Sequence, residues 1–280
     1  MALATRKDVE DVCGADQLCS GVKASIEAAV HSMNALFNDE ESEGLLLVDA
    51  SNAFNSLSRP AMLWNCRVLW PRCSLFLFNF YRGYAVVILK SAESREVALF
   101  FSHEGTTQGC LLAMLAYSIG VLPLIRSLKD PRVYTHSWYT DDSSCGRRLR
   151  HIHSWLLKLL ELGPSYGYFA EPTKSTIIVK EEYRSQAEAL FADLDVKITL
   201  AGRFLGGLIG DNDVKRQLLR GKIEHWIAAV ESLSRAAIDY PQVAYAAFTH
   251  SLSMEWADLQ RVFGDFDGVS ASEVRHSQGI

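Results

Sequence analysis

The chain has 280 residues, 49% hydrophobic and 22% charged. This is ordinary globular composition, with enough material for one large domain or two small ones and a sizeable core. The formal net charge of −5 excludes a global basic footprint of the kind duplex-binding proteins usually carry. The imbalance is local: residues 1–48 hold Arg6, Lys7 and Lys23 against nine acidic residues, and the remainder is nearly neutral.

The N-terminal stretch MALATRKDVEDVCGADQ has no apolar core of a signal peptide. Val22–Phe37 repeats apolar residues at helical spacing, and the acidic segment NDEESEG (38–44) ends it. GLLLVD (44–49) reads as a short buried strand closed by Asp49. Ser58 is a candidate N-cap for a helix carrying an early Pro60, and a second helix covers about 73–82. YAVVILK (84–90) and REVALFF (95–101) predict a hairpin. Residues 110–128 predict a buried helix. Their apolar run, Cys110–Ile125, contains Ser118, Gly120 and Pro123 and falls short of the ~20 residues of a membrane span.

A strand over 133–140 leads through Asp141–Asp142 into a short return strand, and Leu149–Leu162 is helical. STIIVK (175–180) predicts a strand, Tyr183–Leu194 a helix, and RFLGGLIG (203–210) a short strand pair or turn. From Asp211 onward the pattern is helical, and the tail after 263 has little hydrophobic pattern. The six cysteines form no C-x-x-C pair and no zinc spacing, which predicts reduced thiols packed as small apolar groups in an intracellular protein.

The segment WYTDD (138–142) sets two carboxylates side by side where a strand turns. Like charges repel and raise each other's pKa unless a cation lies between them. A plain β-turn is the competing explanation, because Asp is a common turn residue. Asp49 at the end of an earlier strand adds a third carboxylate. If the two strands are neighbours, all three converge on one sheet edge, where Mg²⁺ would be held by carboxylates and substrate phosphates. Two such ions stabilise the attacking and leaving oxygens of phosphoryl transfer.

DASNAFN (49–55), EGTTQGCLLAML (104–115), YTDD (139–142), PTKS (172–175) and FLGG (204–207) follow one another in the order of the palm motifs of reverse transcriptases. From about residue 10 to about 262 the sequence resembles the polymerase domain of a eukaryotic retrotransposon. The resemblance implies an α+β polymerase palm, a ferredoxin-like βαββαβ sheet with helices on one face, joined by partial fingers and the start of a helical thumb. Its division would be 1–43 partial fingers, 44–210 palm with a finger-like insert near 60–104, 211–263 thumb-like helices and 264–280 a loose tail.

By the same resemblance Asp49 and Asp141 would be metal ligands, with Asp142 completing the acidic cluster. Two Mg²⁺ ions, or Mn²⁺ in their place, would be the cofactors. Ala50, Phe54, Gln108 and Gly109 would contact the incoming nucleotide, with Phe54 as the steric gate that excludes a ribose 2′-OH. Lys174 would donate a proton to the departing pyrophosphate, and Leu205, Gly206 and Gly207 would form the primer grip. The partners implied are a primed RNA or DNA template and deoxynucleoside triphosphates, with no membrane.

The motifs depart from the family at Cys110, followed by two leucines where a small polar or acidic residue and Pro are usual. The sparse basic residues before Asp49 predict a truncated piece of a larger polyprotein or a degenerate copy. A catalytically inactive remnant is therefore one alternative to an RNA-directed DNA polymerase. An RNA-dependent RNA polymerase or another palm-fold nucleotidyltransferase, such as a nucleotide cyclase, is the other. The basic residues Arg126, Lys129, Arg132, Arg147, Arg148 and Arg150 suggest a patch toward the primer strand, or a solvated helix start.

Overall fold

The structure, a computed structural model, describes residues 2–90, 97–107 and 109–263. The chain divides into two compact units, between Thr199 and Leu200.

The first unit opens with two helices, α1 (Ala2–Cys13) and α2 (Ser25–Asn38). The first of these has no counterpart in the sequence reading, because its residues are largely polar and lack a clear apolar stripe. The apolar run 44–48 becomes β1 (Gly44–Val48), the central strand of a five-stranded sheet. A strand flanked on both sides and covered on both faces needs continuous apolar residues, which explains why this one does not alternate. A single turn, α3 (Ala53–Ser56), precedes α4 (Arg59–Leu69) and α5 (Pro71–Tyr81). The Ser58 side chain caps α4 by accepting from the Ala61 N–H, and proline falls in the first turn, as expected. The predicted hairpin forms as β2 (Ala85–Lys90) and β3 (Val97–Ser102), a two-stranded sheet of its own.

The buried helix α6 (Ala113–Ser127) starts three residues later than the sequence suggests, because turns at Cys110 and Ala113 occupy its entrance. The hairpin β4 (Thr135–Tyr139) and β5 (Asp142–Arg147) joins the main sheet, followed by α7 (Leu149–Leu162), whose Leu149, Ile152, Leu156 and Leu159 are buried at the predicted spacing. After β6 (Thr176–Val179), the expected 12-residue helix is only α8 (Arg184–Leu190), flanked by single 3₁₀ turns. A three-residue strand, β7 (Lys197–Thr199), was not foreseen and runs parallel to β6. The sheet order is β4-β5-β1-β6-β7, with β1 antiparallel to both neighbours. This is a mixed α/β unit.

The second unit contains the hairpin β8 (Ala201–Phe204) and β9 (Gly207–Gly210), then α9 (Asn212–Ala236), α10 (Pro241–Ala247), a π-helical stretch over 248–252, and α11 (Ser253–Phe263). Residues 200–210, expected with the mixed region, group with these helices. Asp211 caps α9 by accepting from the Asp213 and Val214 N–H groups. Trp226 packs on Trp256 at 5.0 Å between ring centres and donates its indole N–H to the Leu252 carbonyl at 2.9 Å. The predicted loose tail after 263 lies outside the described residues. Among the described residues no helix is long and apolar enough to cross a membrane.

Candidate active site

The strand register builds the acidic cluster. Val48 of β1 pairs with Ser143 of β5, so the next step sets Asp49 beside Asp142. Tyr139 pairs with Asp142, which makes Thr140–Asp141 the two-residue turn of that hairpin. The register therefore sets Asp49 and Asp142 side by side at the ends of neighbouring strands, with Asp141 in the adjoining turn. Their electrostatics agree with this. Asp141 is held above the usual carboxylate range by burial first and by the charge of Asp49 second. Asp142 keeps one side open to solvent, yet it is pushed up to about 6 by lost hydration, then by Asp141 and Asp49.

The turn is held from three directions. Gln17, fully buried, donates from Nε2 to the Thr140 carbonyl at 2.9 Å and accepts from the Thr140 N–H at 2.7 Å. Thr140 has φ +58, a left-handed conformation that these bonds stabilise. The buried Tyr168 hydroxyl donates to the Asp141 carbonyl at 2.8 Å, so the Ser143 hydroxyl, 3.0 Å away, donates to Tyr168. Asp49 is stitched to the 171–175 segment: the Glu171 N–H donates to the Asp49 carbonyl at 2.8 Å, and the Asp49 N–H donates to Ser175 Oγ at 3.3 Å. Lys174 ends a 3₁₀ turn inside this segment and is exposed, so the backbone brings it to the Asp49 strand end. Ala50 makes a β-bridge with Ala170.

Phe54 is half-buried and stacks on the buried Tyr117 of α6 at 4.7 Å and 28°. The loop before α6 is fastened to the backbone around Phe54. Gly105 N–H donates to the Leu57 carbonyl and Thr106 N–H to the Phe54 carbonyl. Gly105 has φ +77, and a Cβ there would lie 2.4 Å from the carbonyl oxygens of Phe54 and Asn55, so only glycine fits. Arg59, buried, donates to the carbonyls of Gly105 and Ser102 at 2.9 and 2.7 Å, and its backbone N–H donates to Glu104 at 2.8 Å. Gly109 has φ +86 with open space around it, whereas Gln108 lies outside the described residues.

Leu205 and Gly206, both at positive φ, form the two-residue turn of the β8–β9 hairpin, closed by Phe204 and Gly207. This is the turn geometry that twisted hairpins prefer, and it belongs to the second unit. Arg126 and Lys129 both pair with Asp16, and Arg147 pairs with Glu41. Gln17, Tyr168, Arg59 and Tyr117 carried no motif. Nothing in the local sequence marks Gln17, which meets its partner across 123 residues.

The donor set at Asp49, Asp141 and Asp142 is oxygen only, which suits a hard cation such as Mg²⁺. Among the described residues no three His, Cys, Asp or Glu groups could hold an ion by themselves. An ion held at these carboxylates would need further oxygen ligands from outside them.

No family model matches the chain, and no curated protein is similar to it. Solved structures of telomerase share its fold. Apo telomerase from Candida tropicalis is similar at a TM-score of 0.56 and 10% identity over 74% of this chain and 38% of that one. The same telomerase truncated from its C-terminal domain gives 0.54 and 12%, over 74% and 43%. Telomerase from Candida albicans in complex with a fragment of telomeric RNA gives 0.52 and 12%, over 74% and 37%. The chain thus shares a fold with these telomerases over about three quarters of its length. The chain spans about two fifths of the length of the telomerases it resembles.

Proposed function

We propose that this chain is the palm-centred portion of an RNA-directed DNA polymerase, of the retrotransposon kind its motif series resembles. It would extend a primer 3′-OH on a template with deoxynucleotides. The observation that carries this is the placement of Asp49 next to Asp142, with Asp141 in the adjoining turn, at the ends of paired strands. Asp49 and Asp141 would hold Mg²⁺ together with substrate phosphate oxygens, and Asp142 would add negative potential. Bound there, the metal supplies charge neutralisation for the phosphoryl oxygens and activation of the 3′-OH. Phe54, braced by Tyr117, would close the space a 2′-OH needs. Lys174 would protonate the pyrophosphate. The rest of the catalysis would be positioning, with the Gln17 and Tyr168 bonds keeping the Asp141 turn pre-organised.

The test is primer extension on poly(rA)–oligo(dT) with Mg²⁺ and dTTP, against Asp141→Asn. Extension by the natural chain that the variant lacks supports the assignment, and extension retained by the variant overturns it. A second reading, a palm fold without catalysis, is favoured by the scarcity of basic residues before Asp49, where only Arg6, Lys7 and Lys23 stand against nine acidic residues. A folded sample that extends no primer, with Mg²⁺ or Mn²⁺, would support it.

A further inference from the structure

Two residues past Asp49, a groove of about 360 Å³ is lined by Ser51, Asn52, Asn55, Ser56 and Phe169. Small-molecule pockets begin at about 300 Å³. One wall is the α3 turn. Asn52, Asn55 and Ser56 recur at helical spacing on one side of it, whereas Phe54 turns its ring to Tyr117, and Ala53 and Leu57 are buried. The other wall is Phe169, 46% exposed, which follows the Tyr168 that holds the Asp141 turn. Main-chain bonds lock the two walls together. The Ser51 N–H donates to the Phe169 carbonyl at 2.8 Å, and the Ser58 N–H donates to the Tyr166 carbonyl at 3.0 Å. Gly167, at φ +75, permits this approach, because a Cβ there would meet the Ser56 carbonyl and the Ser58 nitrogen. The Ser56 hydroxyl donates to the Asn52 carbonyl at 2.7 Å and steadies the turn. The groove is therefore preformed.

The lining defines the ligand. It carries no charged side chain, so a phosphate or a metal ion finds no counter-charge in it. It offers a ring face for stacking and two carboxamides that both donate and accept. Asn52 is the more telling of the two. It stands at the N-cap of α3, where an Asn side chain normally accepts from the backbone, yet at φ +47 it makes no such bond. Its carboxamide is thus left to the groove. An exposed aromatic ring beside polar side chains is how proteins take an unpaired nucleobase: the base stacks on the ring, and its edge is hydrogen-bonded. A carboxamide matches the amino group and the adjacent ring nitrogen of adenine. The choice of a nucleobase over another planar polar ring rests on the polymerase reading above.

We infer that this groove is a second nucleobase site, which takes an adenine base between the Phe169 ring and the Asn52 and Asn55 carboxamides, apart from the side of α3 that carries Phe54. Saturation-transfer NMR of the full chain in EDTA, without primer or template, tests it. The probe is adenosine, which has no phosphate for a metal at the carboxylates to hold. Adenosine should bind, and Phe169→Ala should weaken it about 5- to 150-fold, the value of one base–aromatic stack. Phe169→Leu keeps the apolar bulk without the ring and should weaken it too. So should Asn52→Gly, which suits the positive φ. Circular dichroism checks that each variant is folded. An oligo(rA) octamer separates the sources of the base. Binding of adenosine alone supports a free nucleoside or nucleotide as ligand, and binding of the octamer only, weakened by the Phe169 variants, supports a single strand. No binding of either probe overturns the inference. So does binding that survives in both folded Phe169 variants, binding that depends on Phe54 instead, or ribose bound as well as adenosine. No metal, primer or extension enters the measurement, so its failure leaves the polymerase reading standing, and a chain that extends no primer can still bind adenosine here.

Discussion

Gln17 and Thr140 exchange two hydrogen bonds, at 2.7 and 2.9 Å, through both ends of one carboxamide. The pair ties the segment after α1 to the turn that carries Asp141. Removing the carboxamide strands a buried N–H and a buried carbonyl, each costing about 1–3 kcal/mol. Gln17→Leu should therefore destabilise the first unit by about 2–4 kcal/mol in urea unfolding. Nucleotide addition should fall even at temperatures where the variant remains folded. Unaltered stability would show that the turn holds without this clamp.

Gly105→Ala should be more damaging than a surface glycine change. Its Cβ would meet two backbone oxygens at 2.4 Å, at a φ of +77. The loop must move away from Phe54, at a cost of about 2–3 kcal/mol or more. Gly109→Ala has open space and carries only the positive-φ penalty of about 1 kcal/mol. Thermal unfolding of the two variants side by side checks the order.

Phe54→Val should relax sugar choice. The ring rests on Tyr117, and shortening it opens the volume that would otherwise meet a 2′-OH. The ratio of dTTP to UTP incorporation should drop by about 10- to 200-fold, the span one hydrophobic contact commands. An unchanged ratio removes Phe54 from the gate.

His136 provides a pH signature separate from the carboxylates. Burial lowers its pKa to about 4, and its Nδ1 accepts from the Trp155 indole at 3.3 Å, which requires the neutral ring. Lys129 also disfavours the imidazolium, while Asp16 partly offsets it. The unfolded chain takes up this proton near pH 6.5, before the folded one. The contribution to stability is therefore fully present above about pH 6.5 and is lost as pH falls toward 4, up to about 3 kcal/mol. Asp142, with its pKa raised, acts in the opposite sense over part of the same range. The difference in unfolding free energy between the natural chain and His136→Phe, measured at pH 7.5 and 4.5, isolates the histidine. An equal difference at both pH values would refute the assignment.

Much of the site could be read from sequence because its carboxylates sit at the ends of strongly patterned strands. The apolar run 44–48 gave away β1, and the Leu149–Leu162 periodicity gave both ends of α7. What escaped depends on tertiary contact. Gln17 and Arg59 are ordinary polar residues locally, and their value arises from carbonyls brought to them by the fold. The short β7 has too few residues to show a period, and it exists because β6 offers it a parallel edge. The exposure of the β2–β3 ribbon was equally hidden, since apolar strands predict burial.

The pairing of Val48 with Ser143 gives the site a counting rule. Asp49 and Asp142 face each other because of how many residues precede them along two strands, and strand side chains alternate with a period of two. Deleting one residue within 44–48 would keep every carboxylate in the chain and yet send Asp49 to the opposite face of the sheet. Variation in this chain can therefore exchange one buried side chain for another of similar size along β1 and β5 with less harm to the site than a change in strand length. Insertions are confined to the connecting segments, where a residue more or less does not alter the parity of the strand ends.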